Sequence, residues 1–150
     1  MLYQNKRKTF LIEEITLSDK NSAENKEVIK TIEVLKLYLI GRLTVEEHKE
    51  GFETYLELFK EGNYIYAIFD YLKLEYDPPQ SRAWFVTSYV PRYGKEFKDK
   101  NRYLALLESQ NLFQKMTTSF ISSGVQKIYK TINISFFQEI EEAEKWLIKQ

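Results

Sequence analysis

Thr44-Val45-Glu46-Glu47 and, further on, Tyr64-Ile65-Tyr66-Ala67-Ile68-Phe69-Asp70 are the stretches that decide the fold. The first is a capping box. The Thr44 hydroxyl takes an orphan N–H of the first helical turn, and the Glu47 carboxylate reaches back to the cap residue's own N–H. Apolar residues follow at Val45, Phe52, Leu56 and Phe59, one face of an amphipathic helix, and Gly62-Asn63 closes it. The second stretch is apolar on both faces over Tyr64–Phe69, the pattern of a central strand covered on both sides, and ends at Asp70.

Upstream, Thr9–Leu17 is rich in β-formers and reads as a strand. Ser18–Glu27 is polar and reads as a loop, and Val28–Ile40 as a long extended segment. In that segment the apolar alternation slips phase once, from Ile32 and Val34 to Leu35, Leu37 and Leu39. A bulge near Val34, or two strands meeting there, would explain the slip. The two segments pair antiparallel, and Gly41 breaks the pattern. Downstream, Asp77-Pro78-Pro79-Gln80 reads as an N-cap, first-turn prolines and a reciprocal partner. The helix it opens carries Trp84, Phe85, Val86 and Tyr89 and stops at Pro91. Arg92–Asn101 reads as a charged loop and Arg102–Glu108 as a second buried strand. Asn111–Ser123 reads as a helix with Leu112, Phe113, Met116, Phe120 and Ile121 on one side and Gly124 as its C-cap. A strand over Lys127–Ile134 follows. Ser135-Phe136-Phe137-Gln138 is a second possible capping box before Ile140, Ala143 and Leu147 at helical spacing. Strands alternating with helices from Thr44 onward imply right-handed crossovers and a largely parallel sheet.

The chain has 150 residues, with 22 Lys plus Arg balanced by 22 Asp plus Glu. A neutral chain lacks the basic excess that non-specific phosphate binding needs. It has no Cys and one His, which excludes disulfides, a cysteine nucleophile, thiolate metal sites and a multi-histidine centre. No apolar run approaches the roughly 20 residues that span a bilayer, and no signal-peptide core follows the N-terminal Lys6-Arg7-Lys8. A cytoplasmic protein without membrane insertion is expected.

Two parts of this pattern resemble a known family. Leu39-Ile-Gly41-Arg-Leu-Thr44-Val-Glu-Glu47 with the strand ending at Asp70, and the terminal Glu142-Ala143-Glu-Lys-Trp146-Leu147, are similar to the STAS fold in its SpoIIAA-like branch. The element order matches over residues 10–149. The resemblance implies a regulatory protein of bacterial type. Phosphorylatable members carry an Asp-Ser-Gly or Asp-Thr-x-Gly turn after the central strand. Here the chain reads Asp70-Tyr71-Leu72-Lys73-Leu74-Glu75-Tyr76-Asp77, so partner switching by phosphorylation at that turn is not expected.

Several residues are candidates for chemistry or binding. Asp70 ends a strand at the carboxyl edge of the sheet, where ligands sit in open α/β folds, and Glu75 and Asp77 add carboxylates that could hold Mg²⁺ or Ca²⁺. The commoner role of Asp70 and Asp77 is to satisfy backbone N–H groups at a turn and a cap, so no metal or cofactor is assigned. Arg82 could hold an anion at the helix start, or form an ordinary salt bridge. His48 reads as an exposed surface histidine. Arg92, Lys95 and Lys98, with Tyr93 and Phe97 between them, could bind single-stranded nucleic acid by charge and stacking. In a neutral chain without a nucleic-acid motif, a solvated loop or a protein docking patch is the better reading. Trp84, Phe85 and Tyr89, with Phe113, Met116 and Phe120, either form plain core or line a lipophilic pocket.

These readings give one α/β domain over residues 1–150, with residues 1–8 as a flexible arm. Its sheet is STAS-like: four or five strands, mixed but mostly parallel, with helices packed mainly on one face. The expected function is a non-enzymatic regulatory or protein-interaction module, binding a partner protein through the sheet-end loops and the Asp77–Tyr89 helix, with an edge strand and many aromatics available for a homodimer. A carrier of a small lipophilic ligand is the alternative, and a carboxylate- or metal-dependent enzyme the least favoured.

Overall fold

The computed structural model describes residues 1–19, 30–109 and 130–150. Within them six strands lie side by side in sequence order: β1 (Tyr3–Gln4), β2 (Phe10–Ser18), β3 (Thr31–Arg42), β4 (Tyr66–Tyr76), β5 (Arg102–Leu107) and β6 (Ile132–Phe137). The pairs β1–β2 and β2–β3 are antiparallel, and β3–β4, β4–β5 and β5–β6 are parallel. The mixed, mostly parallel sheet expected from the sequence is present, with one strand more than the four or five expected. The extra strand comes from the N-terminal arm, where Leu2 donates its N–H to Ile12 at 2.8 Å. Asn5 shapes the link to β2: its side-chain oxygen accepts from the N–H groups of Thr9 and Phe10.

α1 (Val45–Glu61) starts as the sequence dictates. Thr44 accepts from the Glu47 N–H at 3.2 Å, and Glu47 accepts from the Thr44 N–H at 2.9 Å. Gly51 lets the helix settle on the sheet, since a Cβ there would stand 2.4 Å from the Phe10 ring. α2 (Pro79–Trp84) runs through a π-helical stretch, Phe85–Tyr89, into α3 (Val90–Glu96). The helix therefore does not stop at Pro91 as expected. Pro91 falls in the first turn of α3, where no helical N–H is required of it, and the wider π turn just before makes room for its ring. The final helix, α4 (Ile140–Ile148), has Glu139 as cap residue without a side-chain bond. Ser135–Phe137 belong to β6 instead of a capping box. The helix expected over Asn111–Ser123, its Gly124 cap and the loop over residues 20–27 lie outside the described residues.

Two layers flank the sheet. α1, α2 and α3 cover one face over a cluster rich in rings, including Phe10, Phe52, Tyr55, Phe59, Phe69, Phe85 and Tyr89. α4 covers the other, where Ala143 and Leu147 meet Val34, Ile68, Ala105 and Leu107. This arrangement removes the need for a bulge at Val34. Ile32 and Val34 pack toward α4, while Leu35, Leu37 and Leu39 pack toward α1. The β2–β3 register is unbroken through Ile15 and Val34. The phase slip is what a strand buried on both faces looks like in sequence. The irregularities of β3 lie later, between Tyr38 and Ile40 and between Gly41 and Arg42, in its pairing with β4. Gly41 takes the left-handed φ of 68° there, a conformation that favours glycine.

Candidate functional site

At the carboxyl end of the sheet, polar side chains sit inside the aromatic layer. His48, Phe52, Tyr55 and Phe59 form one buried face of α1 at helical spacing. His48 is therefore not a surface residue. Its Nδ1 lies 2.9 Å from Asp77 Oδ1, with side-chain exposures of 3% and 7%, and its ring packs against Phe52 at 4.7 Å. Asp77 does not cap α2. The cap position is Pro78, without a side-chain bond, and the Asp77 carboxylate turns inward to His48. Tyr71 on β4 lies in the electrostatic field of both Asp77 and Glu108, the residue after β5. Burial pushes the Tyr71 phenol well above its usual pKa and the Glu108 carboxyl up to about 8, so Glu108 is mostly neutral at pH 7. Among the described residues, both Glu108 oxygens, Ser81 Oγ, Tyr89 OH and His48 Nε2 are buried without a hydrogen-bond partner.

Asp70 lies elsewhere. β4 does not end at Asp70 but continues to Tyr76, because Tyr71 and Leu74 extend its buried side. Asp70 Oδ2 pairs with Lys36 Nζ at 3.3 Å, and Asp70 Oδ1 accepts from the Leu72 N–H. Lys36 also stands 4.5 Å from the Tyr38 ring centre, and Tyr38 donates its hydroxyl proton to Glu13. Asp70, Tyr38, Glu13 and Lys73 border an open groove of about 290 Å³ on the face that carries α4. Asp70 and Asp77 are therefore not one carboxylate cluster. Among the described residues, no group of three His, Asp or Glu side chains is arranged to hold a metal ion.

The aromatic helix is core. Phe85 and Tyr89 are 5% and 2% exposed and stack at 5.0 Å, while Trp84 is half-buried beside them. Between Phe69, Phe85, Tyr89, Tyr93, Leu104 and Ile132 lies a cavity of about 20 Å³. A small-molecule pocket needs roughly 300 Å³ or more, so this space is no larger than about one water and is lined by apolar groups. Phe113, Met116 and Phe120 lie outside the described residues. Arg82 is half-buried beside Ser81, on a helix of 6 residues.

The segment expected as a charged loop is helical over Arg92–Glu96. Its two rings are not available for stacking on bases. Tyr93 and Phe97 are 6% and 4% exposed and pack on Phe59. Lys95, Lys98 and Lys100 remain exposed, whereas Arg92 bonds Glu53 and Lys60 bonds Glu96. Arg102, which opens β5 just beyond, is buried.

The sequence reading missed His48, Lys36, Arg102 and Glu108. For His48 the signal was present, since it precedes Phe52 by one helical turn on the apolar face. The other three border or interrupt apolar strand runs, where a charged residue reads as a strand end or a solvent-facing position.

No family model and no curated protein matches the sequence. A solved structure does match. An uncharacterized protein of the DUF3478 family from Shewanella loihica PV-4, described as having a SpoIIAA-like fold, is 16% identical. The match covers 91% of this chain and 95% of that one, with a TM-score of 0.50. This chain has a SpoIIAA-like fold, and at that identity the likeness extends to the fold alone. No described helix is long and apolar enough to cross a membrane.

Proposed function

We propose that the chain is a non-enzymatic regulatory module that docks an acidic partner protein through the outer side of α3 and the turn after it. The observation that carries this reading is the division of labour along Tyr93–Lys100. The rings point into the core and fix the backbone, and Lys95, Lys98 and Lys100 point out from that rigid support. Glu96 is engaged by Lys60 and Asp99 is the remaining acid, so the segment is net positive, and fixed charge of that sign steers a complementary partner at low entropic cost. Arg92 contributes less than the sequence suggested, because Glu53 already engages it. The polar groups at the carboxyl end of the sheet support a structural role. His48 and Asp77 are enclosed and spend their hydrogen bond on each other.

The test is the triple variant Lys95→Glu, Lys98→Glu, Lys100→Glu, compared with the wild type in quantitative affinity capture at low and high salt. The variant is expected to melt like the wild type and to lose a salt-sensitive set of acidic proteins that the wild type retains. Equal capture by both would remove the docking assignment.

A further inference from the structure

The open groove beside Asp70 lies on the sheet face opposite α3, and its volume of about 290 Å³ is at the lower end of the range for small-molecule sites. Its walls are mixed. Leu11, Ile40 and Leu72 are apolar, and Glu13, Asp70 and Lys73 bring charge.

These charges are not equally available. Asp70 is committed, with Oδ2 on Lys36 Nζ at 3.3 Å and Oδ1 accepting the Leu72 N–H at 3.1 Å. The Lys36 side chain is 9% exposed, and its ammonium stands 4.5 Å from the Tyr38 ring centre. That pair is an internally balanced floor. Glu13 differs. Tyr38 donates its hydroxyl proton to Glu13 Oε1, and burial, then this bond, holds the phenol well above its usual pKa. Tyr38 therefore orients Glu13 without neutralising it. Glu144 on α4 adds negative charge within electrostatic reach of the same phenol. Lys73 is exposed. Among the described residues, neither Glu13 nor Lys73 forms an ion pair.

The register separates the two unmatched charges. Glu13 pairs with Lys36 and Lys73 with Ile40, four residues further along β3, while Leu11 falls between them opposite Tyr38. Four residues of strand span about 13 Å, and two long side chains close part of that distance. The groove thus offers an anion towards one end, a cation towards the other, and apolar wall between.

We infer that this groove binds a small zwitterion, with its ammonium on Glu13, its carboxylate on Lys73 and several apolar carbons between them lying against Leu11, Ile40 and Leu72. Each end gains a charge-assisted hydrogen bond, and the middle leaves water. A ligand with only one of the two charges leaves the other wall charge unmatched. The inference goes beyond the docking reading, since it concerns the opposite face and different residues.

The test is an NMR titration of the isotope-labelled full chain with ε-aminocaproate, caproate, hexylamine and L-leucine at matched ionic strength. Saturable shifts of the Leu11, Ile40 and Leu72 amides are expected with ε-aminocaproate. The two single-charge analogues should bind about tenfold more weakly or worse, and leucine, whose charges share one carbon, should also be weaker. Lys73→Gln and, separately, Glu13→Gln should each lower ε-aminocaproate affinity about tenfold or more. Absence of saturable shifts at the groove in the wild type overturns the site, whether or not either variant folds. Hexylamine or caproate matching ε-aminocaproate overturns the zwitterion assignment, and leucine matching it overturns the charge spacing. Unchanged affinity in folded Lys73→Gln or Glu13→Gln overturns the placement of that end. The docking lysines do not border the groove, so either reading can fail alone.

Discussion

Arg102 opens β5 and Glu108 follows its last residue, so one short strand has an enclosed ionisable side chain at each end. They are 3% and 0% exposed, and among the described residues polar atoms of both lack a hydrogen-bond partner. The same burial has opposite consequences. Glu108 escapes by keeping a proton, since burial lifts its carboxyl to about 8. A neutral carboxyl is far less costly to enclose than a carboxylate. Arg102 has no such exit, because a guanidinium stays charged in any protein environment. The carboxyl end of β5 is thus a neutral, structural end, in the company of Tyr71 and the His48–Asp77 pair. The amino end holds a permanent charge, set against the Phe97 ring. The difference teaches that burial alone does not mark a functional group. What that burial costs depends on whether the group can neutralise itself.

The largest expected effect calibrates this comparison. Leu106 is fully buried between the two ends, and Leu106→Ala should lower stability by about 2–5 kcal/mol through lost burial and a residual cavity. Urea denaturation should show the same loss at pH 5 and pH 8. A loss that varied with pH would mean the strand's packing and its end charges are coupled, and the two ends could no longer be treated separately.

Glu108 predicts a smaller effect with a definite sign. Its folded pKa of about 8 lies above the ordinary 4.5 of a free carboxyl, so between those values the folded state binds more protons than the unfolded chain. Its contribution is complete below about pH 4.5 and is lost as pH rises through about 8. Glu108→Gln should flatten the wild-type decline over that window, which amounts to about a few kcal/mol. A wild-type stability curve with the same slope as the variant would show that Glu108 is solvated or paired, and the contrast with Arg102 would fail. Next in size is Asp77→Ala. It leaves His48 enclosed without its hydrogen-bond partner and should cost about 1–3 kcal/mol in the same denaturation assay. A neutral result would place the His48–Asp77 pair outside the closed end of the molecule.

The elements were readable where local chemistry specifies them. The Thr44–Glu47 box sets the start of α1 without help from the rest of the fold. The double-faced apolar run marks β4 as central for the same reason. Errors arose where the deciding atoms are distant in sequence. Asp77 looked like a cap because Asp-Pro-Pro is a good local cap, but His48, 29 residues earlier, competes for its carboxylate and wins. The run from Asp70 to Asp77 lost its alternation at Leu72 and Lys73, so the continuation of β4 was hidden. Arg102 and Glu108 looked like polar strand boundaries, and only the layer above β5 shows that they are enclosed. The tertiary fold, not the local pattern, determines which charged residues are solvated.

Arg92 gives the smallest effect and the closest control for Arg102. It carries the same guanidinium, ten positions earlier, but its ion pair with Glu53 stands in solvent, with side-chain exposures of 48% and 42%. Water screens such a pair, and the two long side chains lose rotamer freedom to hold it, so its net worth is at most about 1 kcal/mol. Arg92→Ala should therefore shift the urea midpoint only slightly, and about 0.5 M salt should remove most of the shift, because the Debye length is then about 4 Å. If instead Arg92→Ala cost more than about 2 kcal/mol, exposed and enclosed guanidinium groups would be behaving alike, beyond what surface pairs contribute. Burial would then no longer distinguish the two arginines.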